Sequence, residues 1–263
     1  GSLPHSRTPV RYNGWVTTEQ RYAELHAHSA FTFLDGTDEP AQMVAEAARL
    51  GLDALAILDV DGMYSTVQTT MAARDSGLPI MYGAELTLTP DALRGIVPGT
   101  RAPGWGLAPG SDDPGIRLPV LAASPTGYAN LVGAMSERAL SAPGERNPRH
   151  SLVDLRDASR DLLVLTGGRR GPLMRALRAG GVTHARRVLD ELADTFGRDQ
   201  ILVEWQATRG DEDEVGDTLA GLAHASGTRL VATTGARMST PSKQALGDIL
   251  AATRLGVSLD EAQ

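Results

Sequence analysis

The sequence contains no cysteine among its 263 residues, which excludes a disulfide framework and any zinc site built on cysteine. Basic residues are not in excess either, since 25 Lys and Arg face 32 Asp and Glu and the net charge is −7. Domains that bind nucleic acid through their whole surface carry a basic stripe, so we expect that this domain does not bind DNA directly. No apolar run approaches about 18 residues, so no membrane-spanning helix is expected.

Three motifs of common enzyme classes are missing as well. The patterns GxSxG, GxxxxGK and GxGxxG do not occur, so serine hydrolase, NTP-binding and dinucleotide-binding functions lack support. The remaining composition, 41% hydrophobic and 22% charged, is typical of a globular domain, and the length fits one large α/β barrel or two small domains. A cysteine-free chain suits a reducing compartment, and we expect a cytoplasmic protein.

The chain divides into an arm and one domain. Residues 1–21 are polar, show no period and begin with Gly-Ser, which predicts a flexible N-terminal arm with a tag remnant. Residues 22–263 predict a single barrel domain, in which the segment 89–117, rich in proline and glycine, is an irregular insertion.

Short apolar runs alternate with amphipathic segments after residue 22, as in a series of βα units. The predicted strands cover residues 22–29, 54–58, 79–86, 118–123, 162–166, 201–204 and 229–233. The predicted helices cover residues 40–50, 63–76, 126–140, 172–179, 183–196, 213–225 and 243–255. Such an order implies a parallel sheet buried on both faces. Because no glycine-rich phosphate loop follows the first strand, we predict a distorted barrel rather than an open doubly wound sheet.

Metal-ligand residue types stand at several predicted strand ends, where barrels hold their active sites. His26 and His28 lie two residues apart on one strand, so both imidazoles point to the same face and can converge on one ion. Asp35 follows this pair. Glu85 interrupts an apolar strand, where an unpaired carboxylate is costly. The alternative is a pair of hydrogen-bonded structural histidines and a salt-bridged glutamate.

Other strand ends offer weaker candidates. Asp59 and Asp61 bind a cation or cap the helix that follows, and capping is the commoner role. Glu204 is either solvent-facing or salt-bridged. The segment 232–237 supplies no obvious ligand.

Several segments, taken in order, resemble one family. The strings YAELHAHS at 22–29 and FLDG at 33–36 resemble the opening motif of the PHP (polymerase and histidinol phosphatase) domain. EAARLG at 46–51, AILDVDG at 56–62 and YGAEL at 82–86 match its order and spacing. VLTGG at 164–168, VATTGA at 231–236 and GVSLDEA at 256–262 are similar to the bacterial C-family replicase α subunit, in its error-prone branch.

This resemblance implies a distorted (β/α)7 barrel of the PHP type with up to three metals held at the strand ends. His26, His28, Asp35 and Glu85 match the family's metal-binding positions. The family's other ligands are replaced: Leu58-Asp59-Val60 lacks the histidine of the second motif, 206–208 offers none, and Gly235-Ala236-Arg237 loses both a carboxylate and an imidazole. We therefore expect a vestigial site with no cofactor, or with one Zn or Mn ion at most.

The expected function is that of an N-terminal PHP domain fragment of an error-prone DNA polymerase α-type subunit, catalytically inactive itself and stabilising the polymerase. Its expected partners are the polymerase core domains of the parent chain, with replication or repair proteins as further partners and no membrane. The alternative is a stand-alone metal-dependent phosphoesterase using the residual site. A third hypothesis is an interaction module that recruits a replication partner through 89–117.

Overall fold

The computed structural model describes residues 11–12, 15–16, 21–89, 92–93, 115–144, 149–206 and 212–262. Most of the predicted arm and most of the predicted insertion lie outside the described residues, and the described part of the arm includes two short strands at 11–12 and 15–16. The strands are β1 (Arg11–Tyr12), β2 (Trp15–Val16), β3 (Ala23–Ala27), β4 (Ala54–Ile57), β5 (Ile80–Leu88), β6 (Ile116–Ala122), β7 (Leu162–Leu165), β8 (Ile201–Gln206) and β9 (Arg229–Thr233). The helices are α1 (Pro40–Leu50), α2 (Thr66–Ser76), α3 (Pro125–Ser141), α4 (Leu152–Asp157), α5 (Pro172–Phe196), α6 (Glu212–Ser226), α7 (Gln244–Leu255) and α8 (Leu259–Ala262).

The strands β3 to β9 form one seven-stranded sheet in sequence order, and β1 and β2 pair separately. The expectation of a fully parallel sheet is wrong, because β6 runs antiparallel to both β5 and β7. The first β6 residue, Ile116, pairs with Leu88 at the end of β5, so the chain returns beside the strand it has just left. An antiparallel return needs no crossover helix, and an apolar run alone carries no information about strand direction.

The sheet curls into a nearly closed barrel, as predicted. Between β3 and β9 the described residues form no backbone ladder, and a side chain bridges the gap instead. The Glu24 carboxylate accepts hydrogen bonds from the Thr234 backbone N–H (2.9 Å) and from its hydroxyl. Just beyond the strands, the His28 N–H donates to the Ala236 carbonyl at 2.8 Å. The join therefore consists of one carboxylate and a backbone hydrogen bond beyond the strand ends, where a regular barrel would have a ladder.

Strand residues alternate between the barrel interior and the helix layer. The largest buried apolar cluster includes Ala84 of β5 and Val203 of β8 and packs against α3 to α6, and a second cluster packs Ala27 of β3 against α1. Inside the barrel, Leu58, Leu121, Leu165, Leu202 and Ala56 form a third cluster. Because side chains alternate along a strand, the neighbours of the helix-facing residues point into the barrel. His26, Glu85 and Glu204 are such neighbours.

Helix α5 contains a break that the sequence predicts. Its backbone leaves the helical region at Gly180 (φ −150°, ψ 20°) and at Gly181 (φ 65°, ψ −161°), between the two predicted helices. The positive φ at Gly181 is one that side chains other than glycine rarely adopt. None of the helices in the described part of the chain combines the length and apolar character needed to cross a membrane.

Candidate functional site

Three ligand-type side chains meet inside the barrel mouth. His26, His28 and Glu85 each offer one ligand atom, and these atoms lie within 4.8 Å of one another. All three residues are buried. Of the four ligands expected from the sequence, the structure brings these three together.

A second carboxylate orients the His26 imidazole. His26 Nδ1 donates to Glu204 Oε1 at 2.7 Å, while His26 Nε2 lies 3.3 Å from Glu85 Oε1. Nε2 is buried and has no hydrogen-bond partner among the described residues. Burial lowers the pKa of His26, but the negative charges of Glu204 and Glu85 outweigh it and raise that pKa to about 10. A carboxylate on one ring nitrogen is the usual support of a metal-binding histidine, and an ion at Nε2 would replace the proton that the raised pKa implies there.

His28 and Glu85 have the protonation states that ligation requires. Burial lowers the pKa of His28 to about 4, helped by the charges of His26 and Arg237 and opposed by Glu85, so its imidazole is neutral. Burial raises the pKa of Glu85, but the nearby His28, His26 and Arg117 hold it well below its ordinary value. Two imidazoles and an ionised carboxylate form a three-ligand set that suits one zinc-type ion. The buried Nε2 of His26, which has no hydrogen-bond partner among the described residues and whose proton an ion would replace, supports this fit.

Glu204 is the residue whose role the sequence analysis left open. It is buried, and besides His26 its Oε1 accepts from the Thr233 hydroxyl and from Gln206 Nε2 at 3.2 Å. Its Oε2 has no partner among the described residues. The signal was available in the sequence, because Glu204 interrupts an apolar strand just as Glu85 does.

Asp35 lies among arginines. Its Oδ2 is 3.0 Å from Arg237 Nε and 3.6 Å from Arg170 Nη1, and its Oδ1 accepts from Arg254 Nη1. Burial raises the pKa of Asp35, but Arg237, Arg170 and Arg254 outweigh it and lower that pKa to about 2. Metal ligation by Asp35 stays a prediction, and in this structure its carboxylate neutralises guanidinium groups.

The two carboxylates that follow β4 hold loops in place. Asp59 is buried and accepts from Ser29 N and Oγ and from Thr32 Oγ1, each at 2.9 Å. Asp61 accepts from Thr87 N and Oγ1, each at 2.6 Å. Neither caps α2, whose N-cap is Ser65, so the helix-capping interpretation is wrong.

The positions at which this sequence departs from the family's pattern, among them Gln206 and Gly235, also lie at this end of the barrel. Gln206 Nε2 lies 3.2 Å from His26 Nδ1. A Cβ added at Gly235 would come within 2.7 Å of the same Gln206 atom, so Gln206 occupies the space that a carboxylate at 235 would need. Among the described residues, His26, His28 and Glu85 form the one group of His, Asp and Glu that could hold a metal.

A cavity of about 730 Å³ opens above these residues. Five arginines and four carboxylates line it, together with Gln206, Thr234 and the start of α5. Its arginines come from the β7–α5 loop, from α5 and α7, and from the segment after β9. His26 and Glu85 of the candidate metal site therefore line a pocket into which five arginines also project.

Comparison with known proteins gives concordant results. The chain is 41% identical over 245 residues to an error-prone DNA polymerase of Mycolicibacterium paratuberculosis, covering 92% of this chain and 21% of the relative. It is 38% identical over 262 residues to the error-prone DNA polymerase of Cutibacterium acnes, covering 98% and 22%. The chain thus spans about a fifth of the length of these curated relatives.

A solved structure shares the fold at low sequence identity. A protein of Bifidobacterium adolescentis, assigned as a metal-dependent phosphoesterase, superposes with a TM-score of 0.52 at 17% identity, covering 85% of this chain and 90% of that one. The family profile described as PHP domain matches residues 24–208, which include the whole His26, His28 and Glu85 group. With its barrel, its strand-end histidines and this match, the chain belongs to the PHP domain family.

Proposed function

We propose that this chain is the PHP module of an error-prone DNA polymerase, in which the metal site is degenerate and the barrel serves to stabilise the polymerase. The length relation to the relatives supports this, because the matched segment is about a fifth of each polymerase. DNA synthesis, replication and damage-tolerant repair then belong to the rest of such a polymerase. The partners of the barrel are its polymerase core domains.

One observation carries the proposal of a degenerate site. A hydrolytic cluster of several metals needs bridging and terminal ligands on each ion to activate water and hold a phosphate. Here Gln206 and Arg237 stand where further donors are needed, and Asp35 is bound by three arginines. The ligand residues that remain fit one metal ion and do not supply a second set of ligands.

The second candidate function rests on the His26, His28 and Glu85 group. A zinc-type ion there would supply Lewis acidity and a more acidic bound water, which is the chemistry of a one-metal phosphoesterase. In that function Glu204 orients the His26 imidazole by accepting a hydrogen bond from its Nδ1. The Glu85 carboxylate is ionised and the His28 imidazole is neutral, as ligands of a zinc-type ion must be. The arginine wall would receive the substrate's anionic group.

Metal content and hydrolysis together separate the two functions. We would measure zinc and manganese in the purified chain by elemental analysis, and then assay 3′-end degradation of DNA and turnover of a phosphomonoester with and without added Zn²⁺ or Mn²⁺. The degenerate-site proposal expects at most one ion per chain and no hydrolysis. Metal-dependent turnover that disappears in His26→Ala would establish the phosphoesterase instead.

The stabilising role is tested in the full polymerase. Leu189 in α5 is buried, so Leu189→Ala should destabilise the barrel by about 2–5 kcal/mol. We expect the temperature at which DNA synthesis is irreversibly lost to fall in parallel. Leu140→Ala, at a position in α3 that is 81% exposed, is the matched control and should leave that temperature unchanged. DNA synthesis that survives melting of the barrel would contradict the stabilising role.

A further inference from the structure

Three guanidinium groups from distant parts of the chain converge on one carboxylate at the barrel mouth. Arg170 belongs to the β7–α5 loop, Arg237 follows β9, and Arg254 lies in α7. All three form ion pairs with Asp35 and line the same cavity of about 730 Å³. Asp35 offers a single negative charge to these three positive ones, so the cluster has two positive charges in excess.

The surrounding charges reduce this excess but do not reverse it. Glu85 and Glu204 contact His26, Glu85 also attracts Arg170 and Arg237, and Asp248 accepts from the neutral amide of Gln244. Arg169 and Arg178 complete the lining, so five guanidinium groups face four carboxylates and the cavity keeps a positive balance. Burial lowers the pKa of Arg170, and the neighbouring Arg254 and Arg237 lower it further against the opposing effect of Asp35. Guanidinium groups stay charged in proteins, so the positive charge persists across the physiological pH range.

The loop that carries Arg170 leads into the N-terminus of α5 beside this wall. Gly171 is the N-cap of α5 and has no side chain to cap the helix, while Met174 of the first turn lines the cavity. The loop is tightly packed, because a Cβ at Gly171 would come 2.2 Å from the Thr166 carbonyl oxygen. A helix N-terminus directs free N–H groups and partial positive charge toward an anion, in support of the arginines.

We propose that this cavity binds a terminal phosphate group without any metal, through the guanidinium groups of Arg170, Arg237 and Arg254. A phosphate dianion suits three guanidinium groups that share one carboxylate, and its oxygens suit the planar, two-pronged geometry of guanidinium donors. Asp35 holds the three arginines together while the ligand is absent. The inference goes beyond the proposed function, because it requires neither a bound ion nor hydrolysis.

Two sources offer this chemistry, a free phosphate compound and the phosphorylated end of a DNA strand. We would titrate the chain by calorimetry in EDTA at low salt with three probes: inorganic pyrophosphate, a short 3′-phosphorylated oligodeoxynucleotide, and the same oligodeoxynucleotide with a 3′-hydroxyl. Binding of pyrophosphate alone indicates a free ligand, and binding of the phosphorylated strand but not the hydroxyl strand indicates a strand end. Failure of both phosphate probes to bind in EDTA overturns the proposal.

Variants connect the binding to the arginines. Arg237→Gln should weaken binding by about tenfold or more, since it removes a charge-assisted contact. Arg74→Gln is the matched control, because Arg74 is exposed in the last turn of α2, which leads to the opposite end of the barrel. Equal affinity of Arg237→Gln and the unmodified chain would overturn the proposal.

Asp35→Asn gives a test with the opposite sign. Removing the internal carboxylate frees the three arginines, so we expect phosphate to bind more tightly and to raise the melting temperature more than in the unmodified chain. Circular dichroism checks that each variant is folded. If Arg237→Gln does not fold, Arg254→Lys is tested in its place: it keeps the positive charge but loses the planar guanidinium, and we expect it to weaken phosphate binding severalfold. Weaker phosphate binding by a folded Asp35→Asn would contradict the proposal. Because all titrations are done in EDTA, these results are independent of the metal content that tests the proposed function.

Discussion

The join between β3 and β9 is the contact whose removal has the clearest expected result. The two oxygens of Glu24 accept from two rigid backbone donors: Oε1 from His26 N at 2.8 Å and Oε2 from Thr234 N at 2.9 Å. Glu24→Gln keeps the shape of the side chain but turns one of these oxygens into an NH₂ group. Whichever way the amide is oriented, one buried N–H then faces a donor, while the hydroxyls of Tyr22 and Thr234 can rotate to adapt.

The magnitude follows from these contacts. A buried N–H without an acceptor costs about 1–3 kcal/mol, and the bonds that remain lose their charge assistance. We expect Glu24→Gln to lower the free energy of unfolding by about 2–4 kcal/mol, a large share of the roughly 5–15 kcal/mol that stabilises a typical domain. Urea unfolding followed by circular dichroism measures the loss, and amide hydrogen exchange should accelerate at His26 and Thr234.

The matched control is Glu46→Gln, which changes a partly exposed carboxylate paired with the exposed Arg49 on the surface of α1. We expect no measurable change in stability from it. A loss of less than about 1 kcal/mol in Glu24→Gln, with unchanged exchange at both amides, would refute the assignment of the barrel join to this side chain.

Three further predictions concern the site, the sheet and pH. Glu204→Gln should weaken zinc binding about 10–100-fold in a competition titration with a chromophoric chelator, because Glu204 orients His26. Gly83→Ala should destabilise the chain by about 1–3 kcal/mol, because the new Cβ would lie 2.2 Å from the Val120 carbonyl oxygen. Gly133→Ala in α3 should stabilise the chain by about 0.5–1 kcal/mol, because a Cβ there meets nothing within 4 Å. Urea unfolding measures both changes. Burial lowers the pKa of His150, so this histidine is protonated in the unfolded chain at a higher pH than in the folded chain. Between pH 7.5 and pH 5.5 it should therefore reduce the free energy of unfolding by at most about 1.4 kcal/mol. Urea unfolding at the two pH values measures this loss, and His150→Asn should remove the part of it that His150 causes.

Most of the secondary structure was predictable because its signals are local. Helix α1 occupies the predicted residues 40–50, and β9 the predicted residues 229–233. Helix α4 was missed, since its six residues give too short a window for a helical period. The direction of β6 was missed because pairing partners are chosen by tertiary contacts, which a run of apolar residues does not encode.

The site was predictable where strand alternation sets it. His26 and His28 share a face because they lie two residues apart, and Glu85 stands out as a charge in an apolar strand. The arginine cluster was not predictable in the same way: Arg170 and Arg254 come from a loop and a helix, and only the closed barrel brings them to Asp35. His150, which stands between the predicted helix 126–140 and the predicted strand 162–166, is buried and forms a bridge with Leu88.

The carboxylate join between the first and last barrel strands also bears on how the chain folds. Glu24 and Thr234 are separated by 210 positions, whereas each neighbouring pair from β3 to β9 is joined by a much shorter segment. Contacts of large sequence separation form slowly, so we expect the sheet to assemble with two open edges before its ends meet. Open edges recruit strands from other molecules. We therefore expect the Glu24 contact to shorten the time during which a newly made chain exposes these two edges.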